Sequence, residues 1–227
     1  MKISFHNSIE EISKESWDAL IGDLNYPFLK HDFLKTLEIT NCVGTNTGWI
    51  PIHITLKRGE ELIAAMPLYL KSHSQGEFVF DHSWANAFYQ HGLDYYPKLV
   101  SSIPHTPASG PRFLLKEGEE KSVLFEKIKE GVKMISSKNN ISSWHILFPE
   151  KDEINFYENS QLSIRKNAQF IWFNKDYKNF GNYLENFRSR HRKNVLKERN
   201  KIKEQDLMIE TLSCLLYTSD AADDLLC

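Results

Sequence analysis

Residues 49–71 read WIPIHITLKRGEELIAAMPLYLK, and the fold class follows from how this stretch is parsed. From Trp49 to Lys57 apolar and polar residues alternate, Arg58-Gly59-Glu60 forms a turn, and Glu61 to Lys71 is a second extended run. A period of two places successive side chains on opposite faces of a sheet, so two such runs joined by a short glycine-containing turn predict an antiparallel hairpin. On the N-terminal side the period changes to that of a helix. SIEEISKESWDALI sets Ser8 and Glu11 at capping-box spacing and carries Ile9, Ile12, Trp17, Leu20 and Ile21 as an apolar stripe. A second helix is expected over about 31–41, with Phe33, Leu34 and Leu37 turned inward. On the C-terminal side GEFVFD predicts a third strand and residues 83–91 a short helix. SGPRFLL and SWHILF predict strands on either side of a helix over about 121–138. QFIWFN (169–174) predicts a further strand, followed by helices in NFGNYLENF and RSRHRKNVLKERNKIKEQ. Helices ahead of a hairpin-led sheet, then helix and strand in turn, imply a mixed α/β (α+β) fold.

The chain of 227 residues ends in SCLLYTSDAADDLLC, which lacks lysine and arginine and holds two of the three cysteines. The DNA string TGT CTC TTA TAC ACA TCT GAC GCT GCC GAC translates into Cys214 to Asp223 residue for residue and resembles a transposase adapter. Residues 214–227 are therefore expected to be a foreign tail, with the natural chain continuing past Ser213. Removing Asp220, Asp223 and Asp224 lowers the acidic count from 30 to 27 against 28 basic residues, so the formal charge moves from -2 to +1. Cys42 then stands alone, an internal disulfide is excluded, and a cytoplasmic setting is expected. An apolar signal core and an apolar run of membrane-spanning length are both lacking, so a soluble protein is expected. The remaining length suits one full domain and the start of another.

Common catalytic signatures are missing: GxSxG, HExxH, CxxC, the phosphate-cradling GxxxxGKS/T, and the Gln/Arg-x-x-Gly-x-Gly/Ala loop that holds an acyl-CoA pyrophosphate. Three segments nonetheless carry chemistry. Between Pro67 and Val100, Lys71, His73, Glu77, Asp81, His82, His91, Asp94 and Lys98 mix with Tyr69, Trp84, Phe88, Tyr89, Tyr95 and Tyr96. Apolar walls with a few ionisable groups suit a concave ligand site, although an ordinary strand, loop and helix fits the same pattern. The spacing of His73, Glu77, His82 and His91 does not gather them on one face, so no metal is expected. IPHTPASGPRFLL (103–115) is a rigid loop entering a strand at Arg112, fit either to hold a substrate or simply to cross the sheet. From Arg188 to Lys203 eight Lys or Arg residues face one acid, Glu198. Such a helix either meets phosphates or is a solvated face.

At these segments the chain resembles a known family. KSHSQGEFVFDHSWANA, YYPKL, TPASGPR, QFIWFN and RSRHRKNVLKER look like the ordered blocks of the FemAB-like peptidoglycan biosynthesis/recognition proteins, within the GNAT acyltransferase superfamily. The resemblance runs from about Trp17 to Ser213. The family pattern has histidine where this chain has Ile171, and an aromatic residue where this chain has His105.

The resemblance implies two GNAT-like domains in tandem, the first over 1–166 and an interrupted second over 167–213, and N-acyl or aminoacyl transfer to an amine acceptor such as a peptidoglycan precursor. A non-catalytic module that recognises a cell-wall ligand is the alternative. The implied donor is an acyl-CoA such as acetyl-CoA, or an aminoacyl-tRNA. Attack by an amine needs a general base to keep it neutral, and Glu77 and His73, with Asp81, are the implied catalytic candidates. Lys71, Trp84, Tyr95, Tyr96, Lys98 and Arg112 are the implied substrate-binding residues. Arg190, Arg192, Lys193 and Arg199 are the candidates for binding phosphate, with tRNA as the macromolecular partner such a helix would meet.

Overall fold

The computed structural model describes residues 1–22, 26–166, 168, 170–205, 207 and 210–211; the tail 214–227 lies outside the described residues. The chain divides into two compact units, Met1–Lys166 and Asn167–Cys227.

The first unit holds strands β1 (Lys2–His6), β2 (Trp49–Pro51), β3 (His53–Arg58), β4 (Glu61–Met66), β5 (Tyr69–Lys71), β6 (Lys98–Ser101), β7 (Leu114–Leu115) and β8 (Trp144–Ile146). Its helices are α1 (Lys14–Ile21), α2 (His31–Ile39), α3 (His82–Gln90), α4 (Lys121–Lys138) and α5 (Ile154–Asn159). The expected hairpin is present. β3 and β4 pair antiparallel from Ile54↔Met66 to Arg58↔Glu61, around a turn where Gly59 takes φ 62°. The two arms continue as β2 and β5, paired Trp49↔Lys71 and Pro51↔Tyr69.

Between the two halves the ladder is interrupted, because Pro51 and Pro67 have no N–H to give. Ile52 N–H still bonds Leu68 O at 2.9 Å, whereas Leu68 N–H donates to the His53 ring at 3.3 Å. One long hairpin thereby serves two four-stranded sheets, β1-β3-β4-β7 and β2-β5-β6-β8. Every pairing is antiparallel except β6 with β8, which the intervening α4 makes parallel.

Burial explains the layering. Leu124, Phe125, Ile128 and Val132 on α4 pack against Ile54, Leu56, Ile63 and Met66. Trp17, Leu20 and Ile21 on α1, with Leu34 on α2, meet Leu62, Ala65 and Leu114. The first sheet is thus covered by α4 on one side and by α1 and α2 on the other.

Several sequence expectations need correction. SIEEISKESWDALI is two elements, a 3-10 turn over Ile9–Glu11 and α1, because Ser8 and Ser13 each cap a start. The Ser8–Glu11 box does not form: Ser8 Oγ accepts from Glu10 N at 3.1 Å and donates to Glu38 at 2.6 Å. β1 pairs along β3 and was not anticipated. GEFVFD is a loop, since Phe78 takes a left-handed φ of 56° and Glu77 and Asp81 turn inward to a lysine. SGPRFLL shortens to the two residues of β7.

The second unit holds α6 (Phe180–Glu185), capped by Asn179 Oδ1, which accepts from Asn182 N at 3.0 Å, and α7 (Ser189–Glu204). Residues 170–174 form no strand, and Phe170, Ile171, Trp172 and Phe173 are exposed. Among the described residues of this unit there is no strand to pair with, and an isolated strand leaves its N–H and C=O groups to water.

Candidate functional site

The antiparallel register of β5 and β6 sets Lys71 directly opposite Lys98. Both side chains are fully buried. Like charges facing each other across strands are destabilising, and a buried ammonium costs on the order of several kcal/mol unless it is paired. The sequence between them supplies the pairing. β5 ends at Lys71, and the loop 72–81 folds back so that its oxygens meet the two ammonium groups.

Lys98 Nζ donates to Glu77 Oε2 at 2.8 Å, Asp81 Oδ2 at 2.5 Å and Ser74 Oγ at 2.8 Å. Tyr95 OH donates to Asp81 Oδ2 at 2.7 Å, and Ser74 Oγ lies 2.9 Å from the same oxygen and 2.6 Å from Tyr96 OH. The Lys98 ammonium also stands 5.1 Å and 5.6 Å from the Tyr95 and Tyr96 ring centres. Lys71 is held differently. Its Nζ sits 3.8 Å over the Trp49 ring and donates to Gln75 O at 3.2 Å, with no carboxylate among the described residues in hydrogen-bond reach.

Electrostatics follow from this asymmetry. Burial lowers the Lys71 pKa to about 8, with the Lys98 charge adding to the fall and Glu77 opposing it. Burial raises the Glu77 carboxyl above its ordinary range against the pull of Lys98. Burial works the same way on Asp81, but hydrogen bonds from Lys98, Tyr95 and Ser74 outweigh it and hold that carboxyl below its usual range. Glu77 Oε1 and Asp81 Oδ1 are buried without a hydrogen-bond partner among the described residues.

Of the residues singled out in the sequence, Lys71, Glu77, Asp81, Tyr95, Tyr96 and Lys98 come together. His73 stands beside them. Its Nδ1 accepts from Gln75 N at 3.2 Å, and burial with the Lys71 charge lowers its pKa. Trp84 lies on α3, exposed, with the Arg165 guanidinium 5.6 Å from its ring. Arg112 is fully buried, and its guanidinium donates to the carbonyls of Leu147, Gly110 and Ala108 at 2.8, 3.1 and 2.5 Å. It pins the proline-rich loop, and burial lowers its pKa to about 10.

Ser74, Trp49 and His145 belong to the cluster and were not anticipated. His145 on β8 has its pKa lowered to about 4 by burial and the Lys98 charge, so its imidazole stays neutral. Only the β6–β8 pairing brings it here, through Val100↔His145.

In the second unit Arg190, Lys193 and Arg199 are exposed on α7 and Arg192 is half-buried. Arg199 stacks 4.2 Å over the Phe180 ring, while Lys193, Lys197 and Lys201 repeat every four residues beside an open groove. Among the described residues no helix is long and apolar enough to cross a membrane.

Solved structures similar to this chain include the aminoglycoside antibiotic 6'-N-acetyltransferase AAC(6')-IG from Acinetobacter haemolyticus, at 11% identity and a TM-score of 0.45. That match covers 78% of this chain and 100% of that one. A possible acetyltransferase from Clostridium difficile 630 is 12% identical with a TM-score of 0.44, covering 76% of this chain and 96% of that one. The 6'-N-acetyltransferase AAC(6')-Ih from Acinetobacter baumannii is 11% identical with a TM-score of 0.41, covering 78% and 98%. No curated protein matches the chain. The family comparison reaches much further along the sequence. Residues 8–225 match the FemAB-like family, described as peptidoglycan biosynthesis/recognition, a range that takes in most of the tail set apart above. The chain belongs to the FemAB-like family of peptidoglycan biosynthesis/recognition proteins.

Proposed function

We propose that this protein is a GNAT-type N-acyltransferase or aminoacyltransferase that acts on an amine acceptor, with a peptidoglycan precursor as the acceptor class. The observation that carries the reading is the family match over residues 8–225. The buried cluster supports it. Strongly shifted ionisable groups packed against aromatic rings are what a site for proton transfer requires. Glu77, whose carboxyl burial raises above its ordinary range, is the proposed base. Asp81 holds Lys98, and the tyrosine hydroxyls and lysines position the substrate. Donor phosphates, from acetyl-CoA or an aminoacyl-tRNA, are assigned to Arg190, Arg192, Lys193 and Arg199 on α7.

The test is turnover. Incubation with acetyl-CoA and amine-bearing peptidoglycan fragments should release free CoA thiol, and incubation with charged tRNA should move label to the acceptor; neither product from folded protein overturns the reading. Phosphate contacts by α7 require that tRNA affinity fall steeply with added salt.

A recognition module without catalysis is favoured by one observation: Glu77 and Asp81, the two carboxylates of the cluster, both sit on Lys98. Glu77→Gln separates the two readings. An enzyme loses turnover and keeps ligand affinity, whereas a module binds the same fragments and turns over nothing in either form.

A further inference from the structure

The oxygens on the two buried ammonium groups come from one ten-residue loop. Ser74, Glu77 and Asp81 supply those on Lys98, and the Gln75 carbonyl supplies the one on Lys71. The walls behind them belong to the sheet and its flank: the Trp49 ring at 3.8 Å from Lys71, and Tyr95 and Tyr96 beside Lys98. Two ammonium groups and two hydroxyls face this one loop: Lys98 and Tyr95 meet at Asp81, Tyr96 OH meets Ser74 and Lys71 meets the Gln75 carbonyl, so the loop's own acceptors stand where an anion would bind.

Three features show that the loop is less tightly fitted than the sheet beneath it. Glu77 and Asp81 are 2% and 1% exposed, yet among the described residues Glu77 Oε1 and Asp81 Oδ1 have no donor, a cost of the kind an intact core avoids. Phe78 takes a left-handed φ of 56°, a strained conformation for a bulky residue. Phe78 and Phe80 are 56% and 79% exposed, so the loop buries little apolar surface to hold it down.

We propose that loop 72–81 is a strap whose carboxylates occupy a binding site for a small anion, a phosphate or carboxylate group, between Lys71 and Lys98. A ligand anion takes over the ammonium groups and the tyrosine hydroxyls, and Glu77 and Asp81 leave with the strap. Lys71 is the residue that gains most, because the strap gives it only a carbonyl where a ligand gives it a full charge-assisted bond. The closed strap also accounts for two lysines being tolerated opposite each other. The proposal holds whether or not the chain transfers acyl groups, since binding alone is read.

The experiment titrates the full chain at low ionic strength with pyrophosphate and, separately, malonate, by calorimetry and by hydrogen exchange. The expected result is that one or both anions bind and that amides of residues 74–81 exchange about tenfold faster or more while β3 and β4 are unchanged. Lys71→Met, which conserves volume and leaves the carboxylates on Lys98, should weaken binding about tenfold or more, the loss of one charge-assisted bond. Asp81→Asn should tighten binding; if that variant does not fold, the exchange comparison on the unaltered chain decides. Preference for pyrophosphate or malonate assigns the ligand as phosphate or carboxylate. Binding of neither anion, binding unchanged in Lys71→Met, or binding that leaves the strap's exchange unaltered overturns the proposal.

Discussion

Lys71 and Lys98 show how a residue's cost reports on its purpose. With a lowered pKa of about 8 in the fold and an ordinary value of 10.5 in the unfolded chain, Lys71 binds fewer protons when folded throughout that interval. Stability contributed by this group therefore rises between about pH 8 and 10.5, and below pH 8 the full burden of the buried charge is present. Lys71→Met should remove the burden, stabilising the protein by up to about 3 kcal/mol near pH 7 and by progressively less toward pH 10.5. Urea midpoints of both forms over that range check it; a difference that does not shrink with pH contradicts it. Asp81→Asn has the opposite sign. It strips one of two carboxylates from a fully buried ammonium and should cost about 3 kcal/mol in chemical denaturation. The sequence made Lys71, Glu77, Asp81, Tyr95, Tyr96 and Lys98 visible as an unusual mixture of charges and rings. It could not show that two of the cations face each other, because register is a property of the paired strands and not of either one.

At the scale of elements, α4 is the best case for reading structure from sequence. Leu124, Phe125, Ile128 and Val132 recur at helical spacing, and the helix occupies the expected span. Gly131 within it was not interpretable in advance. A Cβ there would stand 3.0 Å from Ile54 Cδ1 and 3.1 Å from Ile3 Cγ2, so its lack of a side chain lets the helix lie close on β1 and β3. Gly131→Val should destabilise the unit by about 2 kcal/mol through overpacking, measured as a fall in the denaturant midpoint with an unchanged slope. A midpoint that does not move would mean the helix can lift without loss. GEFVFD failed as a strand for the complementary reason. Its alternation is that of an extended chain, but the pull of Lys98 on Glu77 and Asp81 is a tertiary force that local pattern does not contain.

At the scale of the whole molecule, the two units differ in what covers their apolar residues. The first encloses its hairpin between helices, whereas residues 170–173 of the second stand in solvent, Phe170 completely and Ile171, Trp172 and Phe173 by 63%, 61% and 69%. Amides of residues 170–174 should exchange within seconds while those of β3 and β4 persist for hours or longer, and limited proteolysis should cut first in that stretch. Equal protection of both regions by mass-detected exchange would contradict the picture. The sequence alone determined the hairpin, the spans of α2, α3, α4 and α7, and the family, because periodicity, turn glycines and block order are local properties of the chain. Tertiary structure decided the rest. Prolines at positions 51 and 67 interrupt the ladder, so that one hairpin feeds two sheets; β8 brings His145 in beside Lys98; and loop 72–81 closes over the lysines. Each of these depends on which backbone groups find partners at a distance in sequence, and on the charge that must be neutralised once two cations have been buried together.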